Sequence, residues 1–301
     1  MLGSLMDADD LLQETLTAAW LALDAFAGRS SLRSWLYRIA TNRCLNAIRA
    51  SKRRQPPEPV PPFSPPDPSR RGEVTWLQPY PDALLEGVPD LAPGPEARYQ
   101  AREAIELAFI VALQQFPPRQ AAALLLRDVV GFGVAEVAGM LGTSPVVVKG
   151  LVQRARGSVA RRREVAGVND AAPAGSASEH HLARRFAVAF VEDDFDTLVT
   201  LLTDDAWLAM PPAPHEYHGP EAIGAFLRAS AGWREPSSAR LLPTRANGQT
   251  AFGVYLRYPG EDCARGAGML VLSMKHGAIC GVTRFLDAGL LRGFSMPDAI
   301  D

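Results

Sequence analysis

Apolar residues recur along this chain at two different spacings, and the change from one to the other divides it. Over residues 7–25, Ala8, Leu11, Leu12, Thr15, Leu16, Ala19, Trp20 and Leu23 fall three and four apart. That spacing predicts a helix, with Asp7, Asp10, Gln13, Glu14 and Thr17 opposite. A second helix follows from residue 32. Its packed stripe is Leu32, Trp35, Leu36, Ile39, Ala40, Cys44, Leu45 and Ile48, and Ser30 or Ser31 can cap it. Residues 96–163 read as helices only, over 96–116, 119–130, 134–141 and 145–163. Pro117-Pro118 ends the first of these and opens the second. Gly142-Thr-Ser144 is a turn, with Ser144 a candidate cap and Pro145 in the first helical position. This is helix-turn-helix spacing.

Beyond residue 178 helices give way to alternation. Residues 181–191 are helical, with Leu182, Phe186, Phe190 and Val191 inward, and 195–202 and 219–229 are helical too. Residues 204–210, 239–245, 249–257, 268–275 and 278–285 read as strands, with turns at Asn247-Gly248 and His276-Gly277. Helices followed by a strand meander make an α+β domain.

Two stretches fit neither period. Residues 55–68 are dense in proline, which fixes φ and lacks a donor, so they form an extended linker. That run opens a longer linker, 55–95, which also holds the apolar island Trp76-Leu-Gln-Pro-Tyr-Pro-Asp82. It reads as a segment docked in a groove of another domain, Trp76, Tyr80 and Asp82 being its contacts; a locally collapsed linker is the alternative. Residues 167–178 are small and polar, a plain connector.

The 301 residues carry a formal net charge of -2, spread unevenly. Residues 29–54 and 149–163 hold many Lys and Arg and no acidic residue. A helix that packs on one side and shows only cations on the other suits a phosphate backbone, though a solvated basic face has the same composition. Three scattered cysteines, Cys44, Cys263 and Cys280, match no zinc spacing and no disulfide framework, which fits a reducing cytoplasm. No apolar run is long enough for a transmembrane helix, and no signal peptide order opens the chain. No Gly-rich phosphate loop appears, and no metal or cofactor is expected.

The order of residues says more. Asp7-Ala-Asp-Asp-Leu-Leu-Gln-Glu-Thr15, Trp20, and Phe26-Ala-Gly-Arg-Ser-Ser-Leu-Arg-Ser-Trp-Leu-Tyr-Arg-Ile-Ala-Thr-Asn42 resemble region 2 of extracytoplasmic-function (ECF) sigma factors, which lend promoter specificity to bacterial RNA polymerase. Phe116-Pro-Pro-Arg-Gln120, Leu125-Leu-Arg-Asp-Val-Val-Gly131, Glu136-Val-Ala138 and Gln153-Arg-Ala-Arg156 resemble region 4. Met210-Pro-Pro-Ala-Pro-His-Glu-Tyr-His-Gly219, Ala222-Ile-Gly-Ala-Phe-Leu227 and Ala246-Asn-Gly-Gln-Thr-Ala251 resemble the cone-shaped SnoaL-like domains of the NTF2 fold, in particular the tails of the sigma-G-type subgroup. A close variant of the Trp76–Asp82 motif marks ECF factors with such a tail.

The resemblance implies a multidomain chain: region 2 over 1–54, a Pro-rich linker over 55–95, region 4 over 96–165, a connector over 166–178 and the SnoaL-like domain over 179–301. It assigns Asp10, Gln13 and Glu14 to core RNA polymerase. Asn42 and Asn46, a turn apart, are placed to reach −10 bases, with Arg49, Lys52, Arg53 and Arg54 on phosphates and Arg29 among the −10 contacts. Phe26 either stacks on an unpaired base or packs in the core. Lys149 and Gln153 face −35 bases, and Arg154 and Arg156 reach groove or phosphates. Gly150, in the middle of that helix, costs about 1 kcal/mol relative to alanine. Relatives carry about one more helix before the stretch like Met1–Leu5, so the chain reads as N-terminally shortened and its region 2 as less stable than in a longer relative.

The expected partners are core polymerase, promoter DNA and a small-molecule ligand of the tail. An anti-sigma factor is not indicated either way, and no membrane partner is. Acid–base chemistry in the tail would draw on His215, Glu216 and His218 with Asp204 or Asp205. The two histidines stand on a Pro-rich stretch read as a rim loop, so a non-enzymatic role is preferred. The alternatives are a ligand-sensing helix-turn-helix regulator without polymerase, and a cyclase or isomerase with vestigial sigma domains.

Overall fold

The structure is a computed structural model that describes residues 1–28, 30–53, 62–72, 77–84, 113, 116–166 and 176–301, with backbone alone for 51–53 and 160–166. Of the residues singled out above, Arg29, Arg54 and Trp76 lie outside the described set, as do the side chains of Lys52 and Arg53 and nearly all of the helix expected over 96–116. The chain divides into two compact units. One comprises residues 1–57 and 92–165, the other 58–91 and 166–301.

In the first unit α1 spans Leu5–Leu21, capped by Ser4, whose hydroxyl accepts the Asp7 N–H at 3.1 Å. A single tight turn, Leu23–Ala25, ends that segment. Helix α2 spans Leu32–Arg53. Ser31 is its cap, accepting the Ser34 N–H at 3.0 Å. Helix α3, Pro118–Leu124, begins at a proline that needs no partner for its nitrogen. It runs into a widened turn, Leu125–Val129, where the Val130 N–H reaches back five residues to Leu125 at 2.9 Å. Helix α4, Val134–Leu141, ends at Gly142, which takes the left-handed conformation, φ 58° and ψ 49°, that costs glycine least. Helix α5 then runs Pro145–Ala166. Phe116, Ala121–Leu124, Phe132, Val137, Val148, Val152 and Ala155 share one core, which Leu45 of α2 joins.

The second unit is α+β. Helices α6 (Ala177–Val191), α7 (Phe195–Thr200) and α8 (Pro220–Arg234) accompany an eight-stranded mixed sheet. Its strands are β1 (Arg70–Arg71), β2 (Leu202–Met210), β3 (Ala213–His218), β4 (Ser238–Ala246), β5 (Gln249–Arg257), β6 (Ala264–Lys275), β7 (Ala278–Phe285) and β8 (Ala299–Ile300), in the order β1-β3-β2-β7-β6-β5-β4 with β8 on β6. β2 and β7 are parallel; β4 to β7 form an antiparallel meander. The two-residue turns Asn247-Gly248 and His276-Gly277 have positive φ throughout, which suits the twist of the strands they join. Phe186, Phe190, Leu198, Leu208, Phe226, Phe252, Leu270 and Val282 make up the core.

Three expectations change. Residues 213–218, read as a rim loop, are strand β3 despite their prolines. Pro214 is accommodated because the register with β2 shifts between Ala209 and Met210, from Glu216 to Ala213, so that it lies in a bulge and owes that strand no hydrogen bond. Helix α8 runs on to Arg234, five residues past the expected end at 229. Val191, expected inward, is 40 % exposed.

The Pro-rich segment is part of this unit. Arg70 and Arg71 pair antiparallel with Glu216 and His215, and the Ser69 hydroxyl accepts the His218 N–H at 3.1 Å. Phe63 stacks on Trp233 and tilts against Phe226, with ring centroids 5.7 and 5.6 Å apart. Tyr217 donates its hydroxyl to the Pro66 carbonyl at 3.0 Å; burial, then the charge of Asp67, pushes its pKa up to about 12. Further on, Leu77 is buried, and Tyr80 exchanges two hydrogen bonds with Asn247: its N–H to Oδ1 at 2.7 Å and the Asn247 N–H to its carbonyl at 2.9 Å. Asp82 accepts from the Gly248 N–H at 2.7 Å and from Arg245 Nε at 3.2 Å.

Asp82→Ala removes both of those bonds. Because the carboxylate is only partly exposed, the loss amounts to roughly 1–3 kcal/mol of seating free energy. Limited proteolysis should then cut residues 62–91 several-fold faster than in wild type while the meander stays resistant; an unchanged rate would mean that Asp82 does not hold the segment.

Candidate nucleic-acid interface

On α2, Arg38, Asn42, Asn46 and Arg49 face solvent. Arg49 Nη1 reaches Asn46 Oδ1 at 3.4 Å, a long bond that leaves both side chains at the surface. Two further basic residues of this helix, Arg33 and Arg43, are engaged within the fold. Arg43 pairs with Glu14 of α1 at 2.7 Å. Arg33 donates Nη2 to the Val130 carbonyl at 2.8 Å and lies over the Phe132 ring at 4.5 Å. Phe26 tilts against Trp35 at 5.0 Å, a packing role in this arrangement.

On α1, Asp10 and Gln13 are exposed, whereas Glu14 shares its carboxylate with Arg43. The apolar row was expected to pack. Thr15 and Ala19 do, but Leu12 and Leu16 are 53 % exposed and Trp20 77 %. Helix α1 therefore buries Thr15 and Ala19 and leaves Leu12, Leu16 and Trp20 largely in solvent.

Helix α5 separates its faces sharply. Val148, Val152 and Ala155 are buried, and Lys149, Gln153 and Arg154 stand outward with Val146 and Val147. Ser144 accepts the Val147 N–H at a long 3.4 Å, so Pro145 and Gly142 do more to fix this helix start than the hydroxyl does. A Cβ at Gly150 would meet only the Arg154 guanidinium, at 3.3 Å, so packing does not require glycine there. Arg156 is held by Asp128 of the widened turn in a two-pronged bond, Nε at 2.8 Å and Nη2 at 2.7 Å, and that bond raises its pKa. Of the four residues expected at a −35 groove, three are unengaged on one face and the fourth is paired within the fold.

A contact missed from sequence joins α2 to α4. The Glu136 carboxylate accepts the Gly133 N–H at 2.9 Å with one oxygen and the Ser34 hydroxyl at 2.8 Å with the other. Tyr37 meets Phe132 edge-on at 5.1 Å beside it. The bond to Gly133, then Ser34, then the charge of Arg33 holds the Glu136 carboxyl below the usual carboxylate range. The Gly133-x-x-Glu136 spacing signals the first bond. Nothing local signals Ser34, which lies 102 residues away.

In the tail the acid–base candidates do not converge. His215 is buried on β3, His218 is exposed and bonds Glu216 at 3.2 Å, and Asp204 and Asp205 are exposed on β2. Among the described residues no three His, Cys, Asp or Glu are grouped to hold a metal, and no single helix is long and apolar enough to cross a membrane.

Comparison with known proteins supplies the decisive observation. The chain is 42 % identical over 304 aligned residues to the ECF RNA polymerase sigma factor SigG of Mycobacterium tuberculosis, covering 100 % of this chain and 80 % of that one. The chain belongs to the ECF sigma factors. Sigma-70 region 2 matches residues 1–54, Sigma-70 region 4 matches 106–159, and a SnoaL-like domain matches 183–282. SigM of the same organism is 31 % identical over 155 residues, 52 % of this chain and 63 % of its own. The crystal structure of M. tuberculosis SigJ shares the fold, with TM-score 0.59 and 23 % identity over 98 % of this chain and 92 % of that one. The sigma factor reading and the helical-then-α+β architecture hold, and the alternative readings give way to them.

The α2–α4 contact of this sigma factor should respond to acid. Glu136 binds its proton less readily folded than unfolded, so its contribution is complete above the ordinary carboxylate pKa, about 4.3, and is lost as pH falls through the lower folded value. The Tyr37 and Phe132 ring resonances should therefore shift together on acidification below about pH 5. Glu136→Gln should show the shifted resonances already at neutral pH. Resonances in wild type that stay fixed to pH 3 would remove Glu136 from this role.

Proposed function

We propose that the first unit reads a promoter in two parts and that the tail adjusts how it does so. Region 4 places Lys149 and Gln153 against −35 bases, with Arg154 on base or phosphate. Region 2 presents Asn42, Asn46 and Arg29 to the −10 element, with Arg49 and Arg53 on phosphates. Asp10, Gln13 and Glu14 contact core RNA polymerase, Glu14 by exchanging its partner Arg43. The observation that carries this reading is the outward row of Lys149, Gln153 and Arg154 on α5, opposite the buried Val148, Val152 and Ala155. Only such a helix can enter a major groove without giving up its own core.

Arg156 is the exception. Its charge is already satisfied by Asp128, so it contributes to DNA only at the cost of that pair. The tail is a regulatory domain and not an enzyme, a reading supported by the separation of His215, His218, Asp204 and Asp205. It takes a small-molecule ligand and acts through the Trp76–Asp82 segment, whose Tyr80 and Asp82 hold the Asn247-Gly248 turn. Control of this kind needs two arrangements of similar free energy that the tail favours unequally. The protein acts in the cytoplasm, with the polymerase.

The test is run-off transcription with core polymerase on a −35/−10 promoter library. Lys149→Ala and Gln153→Ala should each cost about 1–3 kcal/mol at their own base positions, and Arg154→Ala should weaken binding across sequences with a shallower salt dependence. Arg156→Ala should change DNA affinity less than Arg154→Ala. Trp76→Ala with Tyr80→Ala should change promoter output without unfolding the tail. Wild type that neither binds core polymerase nor gives promoter-specific transcripts would refute the proposal.

A further inference from the structure

The tail buries two arginines, Arg284 and Arg234, besides the Glu179 carboxylate that Arg245 and Thr250 hold. Arg284 on β7 lies two residues beyond the core residue Val282, so its side chain leaves the same face of the sheet. It crosses to α8, where Nη1 donates to the Ser230 hydroxyl at 2.5 Å, and the residue is 5 % exposed. Arg234, one turn further along α8, is 4 % exposed; its guanidinium lies over the Phe190 ring at 5.3 Å and pairs with Asp193. The Asp193 carboxylate is 45 % exposed, so part of its charge is spent on water. Among the described residues Arg284 has no carboxylate partner. Burial, then the like charge of Arg234, lowers its pKa to about 10, and it stays cationic at neutral pH.

A guanidinium has five N–H donors, and one hydroxyl uses one of them. A buried charge without a counter-ion is unfavourable, so an anion that reached Arg284 would recover part of that cost. The surroundings define what kind. Ser230 stands between Phe226 and Trp233 on one face of α8, and Phe63 packs on both of those rings. Ser230 and Arg234 are therefore bracketed by aromatic surface, with Phe190 beneath Arg234.

We propose that the tail binds a small organic acid, its carboxylate on Arg284 and Ser230 and its apolar body against Phe190, Phe226 and Trp233. This rests on reading the tail as a ligand-binding domain and gives that ligand a chemical class. Phe63 belongs to the segment that leads from α2 towards the helix-turn-helix, so an acid lodged beside Phe226 and Trp233 acts on that segment directly.

The experiment uses the full 301-residue chain, melted with increasing benzoate, octanoate, benzyl alcohol or inorganic phosphate. Benzoate or octanoate should raise the tail transition saturably and benzyl alcohol should not. Arg284→Met should melt at or above wild type without ligand, since it removes an uncompensated charge, and should lose the response. Ser230→Ala keeps the charge but frees the guanidinium, and should weaken the acid roughly tenfold; this variant decides the matter should Arg284→Met fail to fold. No response to either acid, or an equal response in wild type and both variants, overturns the site, as does a shift by phosphate alone that survives Arg284→Met. Parallel run-off transcription separates the two readings. Promoter-specific transcripts from a chain that ignores every acid would sink this site and leave the sigma factor function standing.

Discussion

A single carboxylate determines how the DNA-reading half is put together. Glu136 satisfies the first free N–H of α4 and, with its other oxygen, the hydroxyl of Ser34 on α2. One group thus closes a helix end and ties that helix to another more than a hundred residues away. Arg33, beside it, covers Phe132 and bonds the carbonyl of Val130, so the turn leading into α4 is fixed from the same side. The helix-turn-helix depends on that turn, because α4 sets the level from which Gly142 redirects the chain into α5. A joint of two hydrogen bonds and a cation over a ring is specific without being large.

The same economy recurs in how charge is assigned. The sequence shows an unbroken basic face on α2 and a basic end on α5, yet several of those cations are already engaged. Arg33 has Phe132 and Val130, Arg43 has Glu14, and Arg156 has Asp128. Arg38, Lys149 and Arg154, exposed among the described residues, stand next to amides able to read bases. Intramolecular pairing thins a uniform charge run into a pattern, and pattern is what a specific nucleic-acid surface needs beyond attraction.

Much of this was legible in the sequence because it was written locally. The Pro145 helix start and the Asn247-Gly248 and His276-Gly277 turns are signals carried by residues close in sequence, and each appears in the fold; of the stripe expected to pack on α2, Leu45 is buried and Leu32 is 50 % exposed. Residues 213–218 misled because their prolines argue for loop, while β2 on one side and Arg70-Arg71 on the other supply the pairing that makes a strand. Helix α1 misled in the opposite sense. Its apolar periodicity is real, but periodicity says only which residues share a face, and here Leu12, Leu16 and Trp20 share one that its neighbour does not reach. The Ser34–Glu136 bond and the Arg284–Ser230 pair had no local mark at all, since each joins residues over fifty positions apart.

The pairing of β1 with β3 bears on how the protein is made. Ser69 and His218, which bond across that edge, are 149 residues apart. During synthesis at about 5–20 residues per second, the early segment waits on the order of ten seconds or more for its partner strand to leave the ribosome. The whole helix-turn-helix is completed in that interval. The tail is thus a discontinuous folding unit, with a DNA-reading module spliced between its first strand and the rest. A nascent chain can finish its helix-turn-helix before most of the tail's strands exist.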